Sequence, residues 1–378
     1  MPTLVEVTCL CGDCQETITI QSEPPFDSIT CSCDICRYCT GVLFLTCLPL
    51  QSRPQIVDRL KQYESSSHLT RYFCGQCGTH LFCMQHNDQS WQLCAGAVDG
   101  LLIPGPESLS QLQAFRQHEF VGSTLDGGLS VCLAEFQGKN IPMFMQGPSG
   151  ELFDKRSPER ISLAAVKPPQ DPPAERYLRQ SLAQADTLRL ACHCESVELI
   201  ITQPSEVSKQ CLAPWPDLIV PHSAHSANPD DVKWWLCDSD TRYLAGTCAC
   251  RSCRLGTGSP IQTWAFIPNA NILKLDGSPF DHKLGSLQQY QSSARTFREF
   301  CGSCGATVCW WSEERPDLID ISAGLLRAPE GARAQRWLRW CTNRVSFKEE
   351  AGLHKVLAEE LEKGLHILEK QRNLEPTS

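Results

Sequence analysis

Fourteen of the chain's 24 cysteines fall into two copies of one pattern, and thiolates in this number and spacing are metal ligands before they are anything else. The first copy is Cys9 and Cys11 (C-x-C), then Cys31, Cys33 and Cys36 (C-x-C-x-x-C), then Cys74 and Cys77 (C-x-x-C). The second is Cys192 and Cys194, then Cys248, Cys250 and Cys253, then Cys301 and Cys304, with the spacing inside each motif kept. A structural zinc takes four ligands and is closed, whereas a catalytic zinc has three protein ligands and one position left for water or substrate. Seven thiols divide as four plus three. The C-x-C and C-x-x-C pairs each offer two thiolates from one turn, which assigns Cys9, Cys11, Cys74 and Cys77 to one structural zinc and Cys192, Cys194, Cys301 and Cys304 to another. The triplets Cys31, Cys33, Cys36 and Cys248, Cys250, Cys253 are then candidate catalytic zinc sites, giving two ions per half and four per chain. A zinc carrying three thiolates is electron-rich and suits the holding of a further thiolate better than the making of a strong hydroxide.

The same cysteines admit other uses. A redox C-x-x-C wants a thioredoxin-like βαβ context, which is missing, and the glycines of Cys74-Gly75-Gln76-Cys77-Gly78 suit a metal knuckle. Four cysteines also hold iron-sulfur clusters. A triplet closed by a further residue is a second structural zinc, and Cys39 is placed to close the first, where Gly256 stands in the second. The ten remaining cysteines, Cys14, Cys39, Cys47, Cys83, Cys94, Cys132, Cys211, Cys237, Cys309 and Cys341, read as small buried apolar residues with no chemistry. His193 lies inside a C-x-C turn, but Leu10 fills that position in the first copy, so it reads as a non-ligand; His222 and His225 lack partners. Arg37 and Arg254 follow the triplets, and Arg71 and Arg298 precede the knuckles. Such cations balance thiolate charge or bind a substrate carboxylate, and Arg37 and Arg254 are the candidate cofactor-binding residues.

The elements that must position these groups repeat as well. Tyr63 and Tyr290 each lie eleven residues before a knuckle, each followed by two serines, and Phe73 and Phe300 each precede its first thiol. Chance does not produce that register. Short runs such as Thr17–Ile20, Val42–Leu48 and Trp91–Cys94 have strand lengths and strand composition. Gly41 and Gly258, five residues beyond the triplets, mark tight turns. The expected organisation is a first unit over 3–135, a proline-rich linker over 136–186, and a second unit over 187–350 with an insertion at 204–243. A C-terminal helix and tail follow over 351–378, where leucines recur at helical spacing. In the insertion, Pro214-Trp215-Pro216 and Trp234-Trp235 either wall a pocket or pin the segment to the body.

Composition narrows the rest. The net charge is −9 and no Lys/Arg block tracks a phosphate backbone, which excludes nucleic acid as a partner. No apolar run approaches the roughly 18 residues of a membrane span. The N-terminus has neither a basic start nor an apolar stretch, so the cysteines are expected in a reducing cytoplasm or nucleus rather than in a disulfide scaffold.

C-x-C-G, C-x-C-x-x-C-R with a glycine five residues on, and Y-x-S-S leading into R-x-F-C-x-x-C-G together resemble the glutathione-dependent formaldehyde-activating enzyme and centromere protein V family, in its two-copy fungal form. Thr124-Leu125-Asp126-Gly127-Gly128 and Arg344-Val345-Ser346-Phe347 are among the similar stretches. The resemblance implies a mainly β fold of two tandem zinc-bound β-tent domains and a three-cysteine site that takes glutathione, as co-substrate, and a carbonyl or thioether substrate. It further implies carbon-sulfur lyase chemistry on a thiol adduct of a small carbonyl compound. A non-catalytic zinc scaffold that presents the insertion and the C-terminal helix to another protein is the alternative. Glu195 stands where Gly12 completes the first C-x-C turn, which leaves the shape of the second turn open.

Overall fold

A computed structural model describes residues 1–102, 111–148, 150–153, 187–215 and 228–374, without side chains for the last four of these. The expected fold class holds: the described chain is mainly β, two-fold repeated, with a helix at its C-terminal end. The first half runs β1 (Thr3–Thr8), β2 (Gln15–Ile20), β3 (Phe26–Cys31), α1 (Asp34–Thr40), β4 (Leu45–Leu50), β5 (Lys61–Ser66), β6 (Leu69–Phe73), β7 (His80–Gln85), β8 (Trp91–Cys94), β9 (Val98–Leu102) and β10 (Gln113–Glu119). Two short strands, β11 (Glu135–Phe136) and β12 (Lys139–Asn140), close it as a hairpin. The second half runs β13 (Thr187–Ala191), β14 (Glu198–Thr202), β15 (Leu236–Cys237), β16 (Arg242–Cys248), α2 (Arg251–Thr257), β17 (Gln262–Pro268) and β18 (Ile272–Leu273). It continues through β19 (Leu287–Ser293), β20 (Thr296–Cys301), β21 (Thr307–Ser312), β22 (Leu318–Ser322), β23 (Leu338–Trp340) and α3 (Lys355–Leu374).

Each half stands a small sheet beside a large one. The small sheets have the orders β2-β1-β9 and β13-β14-β18. The large sheets correspond strand for strand, β10-β3-β4-β8-β7-β6-β5 against β23-β16-β17-β22-β21-β20-β19, with β15 an extra edge strand paired to β16. In both, one strand pair is parallel (β10 with β3, β23 with β16) and the remainder antiparallel. Inward and outward residues alternate along β1, where Val5 and Val7 are buried, as a half-covered strand requires.

The halves pack as a pseudo-two-fold pair, each offering the other the same patch. Gly96 donates its backbone N–H to the Gly258 carbonyl at 2.9 Å, and Gly324 donates to the Gly41 carbonyl at 3.1 Å. A Cβ on Gly41 would lie 2.3 Å from the Thr307 carbonyl oxygen, and one on Gly258 would lie 2.0 Å from that of His80. Both glycines also cap their helices at positive φ, 84° and 75°, so only glycine serves there on two counts. One core cluster draws on both halves, from Leu43 and Phe44 to Leu357 and Leu361. The α3 helix reaches back to the first half, where a Cβ on Gly364 would fall 1.6 Å from the Cys132 carbonyl oxygen.

Most of the expected linker lies outside the described residues. Its beginning is packed structure, with Phe136, Ile141 and Met143 buried and His118 bridged to Met143. Within the insertion, Trp235 is fully buried and its Nε1 donates to the Ser208 carbonyl at 3.0 Å, while Trp234 packs edge-on against Phe266. These rings pin the segment to the body; Pro216, His222 and His225 lie outside the described residues. No helix among the described residues is long and apolar enough to cross a membrane.

Candidate metal centres

The tight β1–β2 turn carries Cys9 and Cys11, and the knuckle between β6 and β7 carries Cys74 and Cys77. The four sulfurs lie within 4.8 Å of one another, as do those of Cys192, Cys194, Cys301 and Cys304. In the first set Cys9 and Cys11 are 3.3 Å apart and Cys11 and Cys74 3.6 Å; in the second, Cys194 and Cys301 are 3.4 Å apart. Four soft donors converging from two distant turns match a closed tetrahedral zinc. The second C-x-C turn keeps the shape of the first despite Glu195. Gly12 and Glu195 both have positive φ, 81° and 58°, and both donate to the carbonyl of the first cysteine, at 3.1 and 3.2 Å. A 2.9 Å ion pair from Arg189 to the Glu195 carboxylate holds the strained residue in place.

Both triplets also converge, with all three sulfurs within 4.8 Å, and no fourth His, Cys, Asp or Glu donor joins either set among the described residues. Cys39, the candidate for closure, is buried but outside the cluster. Each triplet straddles a strand end and a helix start. Cys31 ends β3 and Cys248 ends β16, while Cys33 and Cys250 cap α1 and α2, their sulfurs accepting the N–H of Cys36 and Cys253 at 3.3 Å. Side-chain contacts with Cys31 and then Cys33 hold the Cys36 pKa well below the usual thiol range, aided by the Arg71 guanidinium. Cys253 is lowered in the same way by Cys248 and Cys250, then by Arg298.

The cations nearest the sulfurs are Arg71, whose Nη2 donates to Cys36 at 3.1 Å, and Arg298, whose Nη2 donates to Cys253 at 3.4 Å. Arg37 and Arg254, the pair expected to bind a cofactor, are buried elsewhere. Arg37 meets Asp34 and the Ser123 carbonyl, and Arg254 donates across the interface to the Gly96 and Val98 carbonyls and to Asp99. A cavity of about 370 Å³ lies beside α2, lined by Glu6, Thr8, Glu16, Asp99 and Arg251 among others; Arg251 follows Cys250, but no triplet cysteine lines the cavity.

Two features were not foreseen. His193 reaches from the second half to the first, where its Nδ1 pairs with the Tyr63 hydroxyl at 2.6 Å and its backbone N–H donates to Tyr38. Burial lowers its pKa, with nearby Arg71 adding to the effect. Leu10, its counterpart, packs near Gly256. Further, Cys47, Cys83 and Cys94, read as inert, bring their sulfurs within 4.8 Å of one another. Their wide sequence separation gives no motif; only the strand register, with Cys47 directly opposite Cys94, would have revealed them.

Comparison with known proteins agrees with this geometry. The family described as glutathione-dependent formaldehyde-activating enzyme matches residues 4–114 and 236–343, more than half of the chain and once in each half. The second match begins beyond Cys192 and Cys194, which the fold nonetheless delivers to Cys301 and Cys304. No curated protein matches the chain. Two matched regions, each with a four-thiol and a three-thiol cluster, place the chain in the family of glutathione-dependent formaldehyde-activating enzymes, as a two-copy member.

Proposed function

We propose that the protein is a zinc-dependent carbon-sulfur lyase acting on the adduct of glutathione, or another thiol, with a small carbonyl compound. The reaction is the reversible addition of a thiol S–H across the carbonyl: a C–S bond forms as the thiol proton passes to the carbonyl oxygen, and reversal returns both. The observation that carries the reading is that the two C-x-C-x-x-C triplets gain no fourth protein donor among the described residues, while the clusters built from the C-x-C and C-x-x-C motifs are complete at four. Cys31, Cys33 and Cys36, and in the twin Cys248, Cys250 and Cys253, would hold the ion. Zinc bound there supplies a Lewis acid that lowers a thiol's pKa and fixes its sulfur.

The chain's own residues supply the rest. Arg71 and Arg298 offset the charge of the gathered thiolates at 3.1 and 3.4 Å, and the helix-capping sulfurs of Cys33 and Cys250 are held by backbone N–H groups. Arg37 and Arg254 set the helices that carry the triplets, so their reach to a substrate carboxylate would require them to leave their present partners. The first triplet is the more open, with Cys31 and Cys33 part-exposed against Cys250 alone in the second. It also has the Tyr63–His193 pair close by, so the first half is read as the working copy. A reducing compartment, cytoplasm or nucleus, fits 24 cysteines that are all free.

Calorimetric titration of zinc-loaded protein with glutathione, together with exchange NMR of hydroxymethylglutathione formation, tests the proposal. Saturable binding and accelerated exchange, both lost in Cys33→Ser, are expected. Absence of both in the parent would favour the scaffold reading, in which the insertion and α3 serve a protein partner.

A further inference from the structure

Cys47, Cys83 and Cys94 come from β4, β7 and β8, three strands that are neighbours in the order β4-β8-β7. Cys47 faces Cys94 across the β4–β8 pair, and Cys83 faces Gln92, one pleat from Cys94. Residues two apart on a strand share a face, so the register alone puts the three sulfurs on one side of the sheet. Cys83 is 2% exposed and Cys94 fully buried, and no carboxylate or imidazole joins the set.

The second half gives the contrast. By strand register Trp264, Trp310 and Ser322 hold the corresponding places, since Trp264 pairs with Ser322 as Cys47 pairs with Cys94, and Trp310 faces Arg298 as Cys83 faces Arg71. All three thiols are present in one half and all three replaced in the other, which is how a unit behaves. The neighbouring arginine differs accordingly. Arg298 engages one sulfur through Nη2, and its Nε and Nη1 have no hydrogen-bond partner. Arg71, fully buried, uses all three nitrogens: Nε to Ser65 at 3.3 Å, Nη1 to Cys83 at 3.8 Å and Nη2 to Cys36 at 3.1 Å. A guanidinium without a carboxylate partner thus lies between two thiol clusters, where a buried cation requires negative charge.

We propose that Cys47, Cys83 and Cys94 form a fifth metal site, confined to the first half, that takes a thiophilic d10 ion, Zn²⁺ or Cu⁺. An all-sulfur set of three donors on rigid neighbouring strands selects soft ions over magnesium, calcium or manganese. Binding releases the thiol protons to solvent and leaves a thiolate-rich centre whose charge Arg71 offsets together with that of the first triplet. Cys83 and Cys94 are buried, and Cys94 leads straight into the 3-10 turn Ala95–Ala97 that meets Gly258, so the role of the site is to set the electrostatics and rigidity of the adjoining triplet. The site does not depend on the lyase reading.

Native mass spectrometry of the full chain, purified anaerobically and loaded in separate arms with Zn²⁺ and Cu⁺, tests it. One ion beyond those of the four- and three-thiol clusters is expected in at least one arm, and Cys94→Ser, which installs the second half's own residue, is expected to lose that ion alone. An unchanged count in Cys94→Ser, or a Cys47–Cys94 disulfide in the anaerobic parent, overturns the proposal. Should Cys94→Ser not fold, cadmium NMR of the parent decides: three resonances of the three-sulfur class support the site and two exclude it.

Discussion

The two halves share a scaffold and differ in what surrounds their triplets. Both keep the four-thiol cluster, the triplet across a strand end and a helix cap, the arginine on its last sulfur, and the glycine that lets the halves touch. The first half alone adds the Cys47, Cys83, Cys94 cluster and borrows His193 from its twin. The second half fills the same places with Trp264, Trp310, Ser322 and Leu10. Duplication has therefore preserved the four-thiol clusters, the triplets and the fold, and has let the neighbourhood of one triplet become polar and thiol-rich while the other became apolar. The difference teaches that identical ligand motifs do not make equivalent sites; the residues packed against them do.

The largest expected effect is common to both halves. Substituting Cys74→Ser or Cys301→Ser opens a four-thiol cluster, and since structural zinc contributes on the order of 10 kcal/mol, the variant half should unfold, seen by circular dichroism and loss of one ion. A marked difference between the two variants would break the symmetry of the scaffold. Next come the triplets, which should not be equal. Cys33→Ser is expected to abolish thiol-adduct exchange, at least about 100-fold, and Cys250→Ser to leave most of it, while each loses one ion. Equal losses of activity would refute the assignment of the first half.

The interface is expected to respond evenly. Gly41→Ala and Gly258→Ala each force a Cβ against a carbonyl oxygen and place alanine at positive φ, costing roughly 3 kcal/mol apiece in thermal or urea unfolding. His193→Leu, which gives the second half the residue found in the first, should slow exchange by about 10-fold without loss of any ion, since Tyr63 loses its 2.6 Å partner.

The smallest effect concerns His80, whose counterpart by strand position is Thr307. Burial lowers the His80 pKa to about 4, so the unfolded chain takes up the proton first. Stability contributed by the neutral ring is complete above about pH 6.5 and declines as pH falls toward about 4, by ~1 kcal/mol at about pH 5.5. Unfolding measured against pH over that first unit should show a shallower decline in His80→Thr than in the parent.

Much of this was legible in the sequence because a ligand motif is local. C-x-C, C-x-C-x-x-C and C-x-x-C each close within a turn, so spacing alone told which thiols gather, and the structure brings all fourteen together in the expected four clusters. Length and repeat likewise foretold two β units and a terminal helix. What spacing could not carry was anything set by strand register or by contact between the halves. Cys47, Cys83 and Cys94 meet only because three strands align, and His193 meets Tyr63 only because one half packs against the other. Which of the two arginines in each half meets the triplet sulfur was left open by spacing for the same reason. Arg37 is adjacent in sequence, but on α1 it turns into the protein, while Arg71 comes to Cys36 from β6.

Each half is expected to hold one ion in four thiolates and another in three. Native mass spectrometry of the parent and of the double variant Cys33→Ser, Cys250→Ser puts it to the test most directly. The double variant is expected to fold and to carry two ions fewer than the parent. A double variant with the parent's full complement would contradict it.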